Sequence, residues 1–294
     1  MKSIKEYVIE KMVYNKTNIN KTVFVKNIEE LKSLIVEKDD KFSLTNISFE
    51  EYEDDVFDLQ RKFPNLIKTT ASIIDVSNWN LGDKIVNIEG LFSKNHNVKE
   101  IIGLDTWDVS HIENFGGLFE YCDSIETIDG IENWDISKAI KISGMFSNCS
   151  SLKKLDLSKW DVSNTKYNSM LFAECKNLKE IKGLDKWNTN TFYACGLMFK
   201  NCSSLETLDL SNWKMDNIQT TNEMFYNCSN LTTIGDVSNW NVSNVKDMQS
   251  MFYNCGNLEC DCINWKLHIR CNTNKLSTYT SRRIFRGPKR NIKI

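Results

Sequence analysis

Apolar and polar residues along this chain follow two rhythms that alternate with each other. In Leu208-Asp209-Leu210-Ser211 the apolar residues sit two apart, which predicts a short strand with one face turned inward. After the tryptophans the rhythm changes. Val245, Met248, Met251, Phe252, Cys255 and Leu258 recur at steps of three and four, which predicts one face of a helical segment. Each unit therefore reads as a strand, a turn around Trp, and a helix or 3₁₀ stretch that returns to the next strand.

The units repeat in register. All eight tryptophans, Trp79, Trp107, Trp134, Trp160, Trp187, Trp213, Trp240 and Trp265, are separated by 28, 27, 26, 27, 26, 27 and 25 residues. Phe92, Phe119, Phe146, Phe172, Phe199, Phe225 and Phe252 share that register, each preceded by Leu or Met. Cys122, Cys149, Cys175, Cys202, Cys228 and Cys255 each follow a Phe by three residues. Such a period marks a stacked-repeat architecture, because one strand and one helix cannot bury their apolar faces alone. The predicted fold is an α/β repeat solenoid with a parallel sheet of eight or so strands on one face and short helices on the other.

Shorter repeats carry Leu-Asp-Leu, as at Leu155–Leu157, whereas the longer ones insert a residue and a glycine: Gly103, Gly130, Gly183 and Gly235. An uncompensated extra residue would turn every later side chain to the wrong face, so a glycine-assisted bulge is expected at each. Asn27-Ile28-Glu29-Glu30 and Ser48-Phe49-Glu50-Glu51 read as capping-box helix starts. The expected organisation is residues 1–70 as an N-terminal cap with short helices and a divergent first repeat, 71–265 as the repeats, and 266–294 as a C-terminal cap with a basic tail.

The strand form LxxLDLSxWDVSNV followed by MFxxCxxL resembles the BspA-like leucine-rich repeat family. It is clearest in Ser150–Asn164, Ser203–Asn217 and Asp236–Cys255, and it extends over roughly Ile74 to Trp265. The resemblance implies a right-handed leucine-rich-repeat-like superhelix with roles in adhesion or protein binding, and it carries no shared catalytic residue.

Composition sharpens this picture at the ends. The net charge is −2, yet Asp261 is the last acidic residue, and Arg282, Arg283, Arg286, Lys289 and Arg290 form the heart of a basic tail. That tail is expected to be solvated or to pair with acidic surface, with nucleic acid a less favoured partner. The opening residues show neither an export signal nor a membrane anchor; Ile4, Val8 and Met12 share one face of a short amphipathic helix. This predicts a cytoplasmic or virion-associated protein, with the cell surface reached by a non-classical route as the alternative.

Candidate chemistry is sparse. The six register cysteines fall on the apolar face, where thiols act as small buried hydrophobes. Cys260, Cys262, His268 and Cys271 are ligand types at a spacing that is not a common zinc pattern, so no metal or cofactor is predicted. His96, His111 and His268 are isolated from one another, and no phosphate-binding or metalloprotease motif is present. The expected function is non-enzymatic: recognition of a protein or glycan partner, or alternatively a structural part of a virion or surface layer. Outward strand positions form the candidate surface: Asp105, Glu132, Asp156, Ser158, Asp185, Asp209, Ser211, Asp236 and Ser238, with Asp75 and Ser77 before them. That face is expected to be acidic.

Overall fold

The computed structural model describes residues 22–26, 28–50, 58–62, 65–261 and 291–293. The basic tail from Arg282 to Arg290, the segment holding Ile4, Val8 and Met12, and Trp265 lie outside the described residues.

The alternation in Lys154-Leu155-Asp156 gives strand β7 (Lys154–Asp156), with Leu155 buried between two exposed neighbours. It pairs in parallel with β8 (Glu180–Lys182), Leu155 opposite Ile181, 26 residues on. In the first part of the chain β5 (Ile73–Asp75) and β6 (Glu100–Ile102) pair the same way, with Ile74 opposite Ile101. β3 (Lys41–Ser43) joins them in parallel, and β2 (Val36–Lys38) closes that edge antiparallel to β3. β1 (Val23–Phe24) pairs separately with β4 (Ile47–Ser48). At the other end β9 (Glu259–Asp261) pairs in parallel with β10 (Asn291–Lys293), Asn291 opposite Glu259. Among the described residues the expected continuous sheet of eight or so strands is thus cut into one sheet of four strands and three of two.

The uninterrupted ladder lies elsewhere. Parallel bridges link Asp58, Asn87, Asn114, Lys141, Tyr167, Ala194, Thr220 and Asp247 in succession, one residue per coil. From Asn87 onward the stretch that follows each of these bridges corrects the helical reading. Among the described residues α-helices occur only at Ile28–Ser33 and Leu59–Lys62, with 3₁₀ turns at Leu104–Thr106, Ile131–Asn133 and Leu184–Lys186. After each described tryptophan the chain makes consecutive four-residue turns instead. Leu118 N bonds Phe115 O at 3.2 Å and Cys122 N bonds Phe119 O at 3.1 Å. Between these, Phe119 N bonds Met145 O of the next coil at 2.9 Å, as Phe146 N does Leu171 O at 3.0 Å. In an α-helix those N–H groups would bond four residues back within the same segment.

Positive φ explains why no helix forms. The third residue of each turn lies in the left-handed region, for example Gly117 (57°), Asn148 (62°), Asn201 (60°) and Asn254 (56°). Such a residue suits a turn and interrupts helical geometry. Steps of three and four between apolar residues fit stacked turns as well as they fit a helix.

Two further expectations change. Gly103, Gly130 and Gly183 do not sit in bulges; they adopt φ of 93°, 97° and 95° and each leads into a 3₁₀ turn that takes up the extra residue. A side chain there is also barred by the neighbouring coil, since a Cβ on Gly103 would lie 2.3 Å from the Ser77 Cα. Ser48 does not start a helix. It ends β4 and is paired in parallel with Phe24 and bridged to Asn80.

The core runs along the stack. Phe119, Phe146 and Phe172 lie in one column with ring centroids 5.8 Å apart and nearly parallel planes. The tryptophans form a second column with a polar handle turned to the previous coil: Trp107 Nε1 donates to Val76 O at 3.0 Å, Trp134 to Leu104 O, Trp160 to Ile131 O and Trp213 to Leu184 O, each of the last three at 2.8 Å. A buried indole N–H satisfied in this way fixes the position of each coil on its neighbour as well as filling space.

Candidate functional site

The outward strand positions meet in a trough that crosses β7 and β8. At one end a hollow of about 200 Å³ is lined by Asp129, Glu132, Lys154, Asp156, Glu180 and Lys182 among others. A second, of about 630 Å³, shares Glu180 and Lys182 and continues over Ser158, Lys179, Asp185, Lys186, Thr207, Asp209 and Thr233. The shared strand makes the two hollows one surface. The parallel pairing of β7 with β8 and the Thr207 to Thr233 bridge hold these side chains at coil spacing.

Of the sequence-predicted residues, Glu132, Asp156, Ser158, Asp185 and Asp209 fall in this trough; Asp105, Ser211, Asp236 and Ser238 do not line it. The face is not uniformly acidic, which corrects the expectation. Lys154, Lys179, Lys182 and Lys186 are interleaved with the carboxylates, and Lys182 lies 3.9 Å from Glu180. Lys154, Lys179 and Lys182 lie further from their tryptophans than the outward positions named from the sequence, and Lys186 directly precedes Trp187. The alternation of Lys154-Leu155-Asp156 and of Glu180-Ile181-Lys182 already turned Lys154 and Lys182 outward.

Several carboxylates also hold their own turns. Asp156 Oδ1 accepts from Ser158 N at 3.0 Å, Asp209 Oδ1 from Ser211 N at 3.0 Å and from Ser211 Oγ at 2.6 Å, and Asp236 Oδ1 from Ser238 N at 3.0 Å. These serine bonds, the hydroxyl first and the backbone N–H second, hold Asp156, Asp209 and Asp236 below the ordinary carboxylate range. At Asp75 burial opposes the charge, but Lys41 at 2.7 Å and the hydroxyl and N–H of Ser77 outweigh it. Glu132 Oε2 accepts from Gly130 N at 2.8 Å and steadies the 3₁₀ turn. In the trough Glu132, Asp156 and Asp209 are thus each held by a backbone N–H, with lysines interleaved among them.

The cysteines are placed as expected, with one addition. Each register thiol is buried and donates to the carbonyl of the phenylalanine one coil earlier, as Cys175 does to Phe146 O at 3.0 Å. Burial pushes the Cys122, Cys175 and Cys255 thiols up to about 12. Cys260 is buried, while Cys262, His268 and Cys271 lie outside the described residues. Among the described residues no group of three His, Cys, Asp or Glu side chains could hold a metal, and no helix is long and apolar enough to cross a membrane.

A family model described as DUF285, Mycoplasma protein of unknown function, matches residues 57–181, 86–207 and 167–281. No curated protein matches the chain. Among solved structures, a leucine-rich repeat protein from Bacteroides ovatus is 14% identical, with 91% of this chain and 92% of that one covered, at a TM-score of 0.25. The TLR13 chain of a TLR13–ssRNA13 complex is 15% identical at a TM-score of 0.24; 80% of this chain is covered, and it spans 38% of the TLR13 chain.

Proposed function

This chain belongs to the DUF285 family, and from that premise we propose that it is a non-enzymatic repeat protein that recognises a partner protein through the trough over β7 and β8. The observation that carries this reading is the alignment of Asp156, Lys182 and Asp209 along one surface about 630 Å³ in extent at its larger end. Carboxylates interleaved with lysines suit a partner of mixed charge, because each sign can find its complement without a buried unpaired ion. Leucine-rich-repeat-like architecture supports the reading, since its strand positions hold such side chains on a rigid frame. The Ser158 hydroxyl is engaged by Asp156 in its own turn, and neither histidine nor cysteine lines the trough, so its side chains suit binding better than catalysis.

The test is a charge reversal. A partner recovered on the immobilised chain is titrated against the parent and against Asp156→Lys with Asp185→Lys and Asp209→Lys. The triple variant is expected to melt cooperatively and to lose the partner, with the parent's on-rate falling as salt rises. Full affinity at low salt in the folded variant would move the binding surface off the trough.

A further inference from the structure

A different flank of the stack carries a second groove, lined by residues that the strand-face reading does not use. We infer that the row Asn201, Asn227 and Asn254 forms a site for an extended, neutral, β-linked polysaccharide. The groove measures about 370 Å³ and runs along the stack between these asparagines, with Glu174 at their head, and a parallel column holding Ser203 and Ser229.

The hydrogen-bonding valence of this row is half spent. Asn227 Nδ2 donates to Asn201 Oδ1 at 2.9 Å, Asn254 Nδ2 donates to Asn227 Oδ1 at 3.0 Å, and Asn201 Nδ2 donates to Glu174 Oε1. A side-chain amide has two N–H donors and two acceptor positions. Asn201 and Asn227 therefore each keep one donor and one acceptor, held in fixed orientation by their neighbours. Ser203 Oγ donates to the Lys176 carbonyl at 3.3 Å and keeps its lone pairs for a ligand. The left-handed φ at Asn201, Asn227 and Asn254 (60°, 59° and 56°) accounts for asparagine as a residue type. It makes no demand on the serine column across the groove. Tyr226 and Tyr253, each one residue before a ladder asparagine, stack 4.6 Å apart with Lys200 over Tyr226, so the adjoining wall is rigid.

The repeat distance selects the ligand class. Donor–acceptor pairs recur once per coil, which at strand spacing is about 4.7–4.9 Å, whereas an extended peptide advances about 3.2–3.4 Å per residue and falls out of step. A pyranose unit in an extended β-linked chain advances close to one coil. Because successive units are turned over, vicinal hydroxyls that donate and accept together meet every second donor–acceptor pair of the row, and the units between present their opposite edge. A polyanion is disfavoured, because Lys176, the single cation in the lining, is 3.7 Å from the Glu174 carboxylate.

The test is calorimetric titration of the full chain with cellohexaose and with chitohexaose. Glycine keeps the positive φ while removing the amide, so Asn201→Gly with Asn227→Gly is the working variant; Ser203→Ala with Ser229→Ala is the second, should the first fail to fold. Saturable binding of at least one oligosaccharide is expected, weakened about tenfold or more by the amide or hydroxyl variant and unchanged by Asp156→Lys with Asp209→Lys. No saturable binding of either sugar, or equal binding by the parent and a folded groove variant, overturns the assignment. Neither result bears on the trough, whose own test reads a different face.

Discussion

The thiol of Cys149 donates its S–H to the carbonyl oxygen of Phe119, 3.1 Å away and one coil earlier. The same contact recurs at Cys122, Cys175, Cys202, Cys228 and Cys255. It ties the cysteine column to the phenylalanine column, and burial there keeps each thiol protonated.

This has a consequence at high pH. Burial raises these thiols above the ordinary value of 9.0, to about 12 at Cys122, Cys175 and Cys255. A raised folded pKa means the unfolded chain releases its thiol protons first. The stabilisation is complete below pH 9 and drains as pH climbs toward 12. The melting temperature is expected to fall steeply between pH 9 and 11, and a thiol reagent at pH 8 is expected to label these six only in denaturant. A flat melting temperature across that range would contradict the assignment.

Among the described residues the tryptophan column contains one defect that allows an internal comparison. Trp213 Nε1 donates to Leu184 O at 2.8 Å, whereas the buried Trp187 Nε1 has no partner. Trp213→Phe is expected to cost about 1 kcal/mol more than Trp187→Phe, the net worth of one hydrogen bond. Chemical denaturation of the two variants measures the difference, and equal losses would remove the indole bond as a contributor. Trp213→Ala, which also opens a cavity, is expected to cost about 3–5 kcal/mol.

Met170 and Leu197 hold φ of 62° and 59° at turn positions where earlier coils have Gly117 and Gly144. Met170 is among the exposed large apolar residues, so little packing is lost with its side chain. Met170→Gly is expected to stabilise the protein by about 1 kcal/mol through relief of left-handed strain. A drop in denaturation midpoint would show that the exposed side chain is held by contacts worth more than the strain.

Asn168 is fully buried, and neither its Oδ1 nor its Nδ2 has a partner; the neighbouring buried Thr165 Oγ1 is also unmatched. The previous coil carries buried Ile142 at the same register position, bridged through Lys141 and Tyr167. Asn168→Ile is therefore expected to raise stability by about 1–3 kcal/mol by removing two unsatisfied polar atoms. Loss of stability in that variant would mean the amide is satisfied in solution.

The period and the inward-facing residues were legible in the sequence because they depend on burial alone, whereas Leu208-Asp209-Leu210 alternates as a strand would and is not one. Phe, Cys and Leu recur every 26 or 27 residues and Trp every 25 to 28, and only stacking can hide them all. Leu155 and Leu210 could be assigned inward, and Asp156 and Asp209 outward, from alternation. The turn segments could not be read this way, since Phe115, Leu118, Phe119 and Cys122 are spaced as a helix would space them. The available signal was an asparagine or glycine at one or both turn positions in most coils, Gly144 with Asn148 for example, which left-handed turns favour and helices disfavour. What the tertiary structure alone decided is where the backbone groups go. Phe119 N–H could bond within its own segment or to Met145 O of the next coil, and only stacking supplies that second acceptor. The bonds between Asn201 and Asn227, and the trough shared by Asp156 and Lys182, arise the same way. Each joins residues one coil apart, and their meeting depends on how one coil settles on the next.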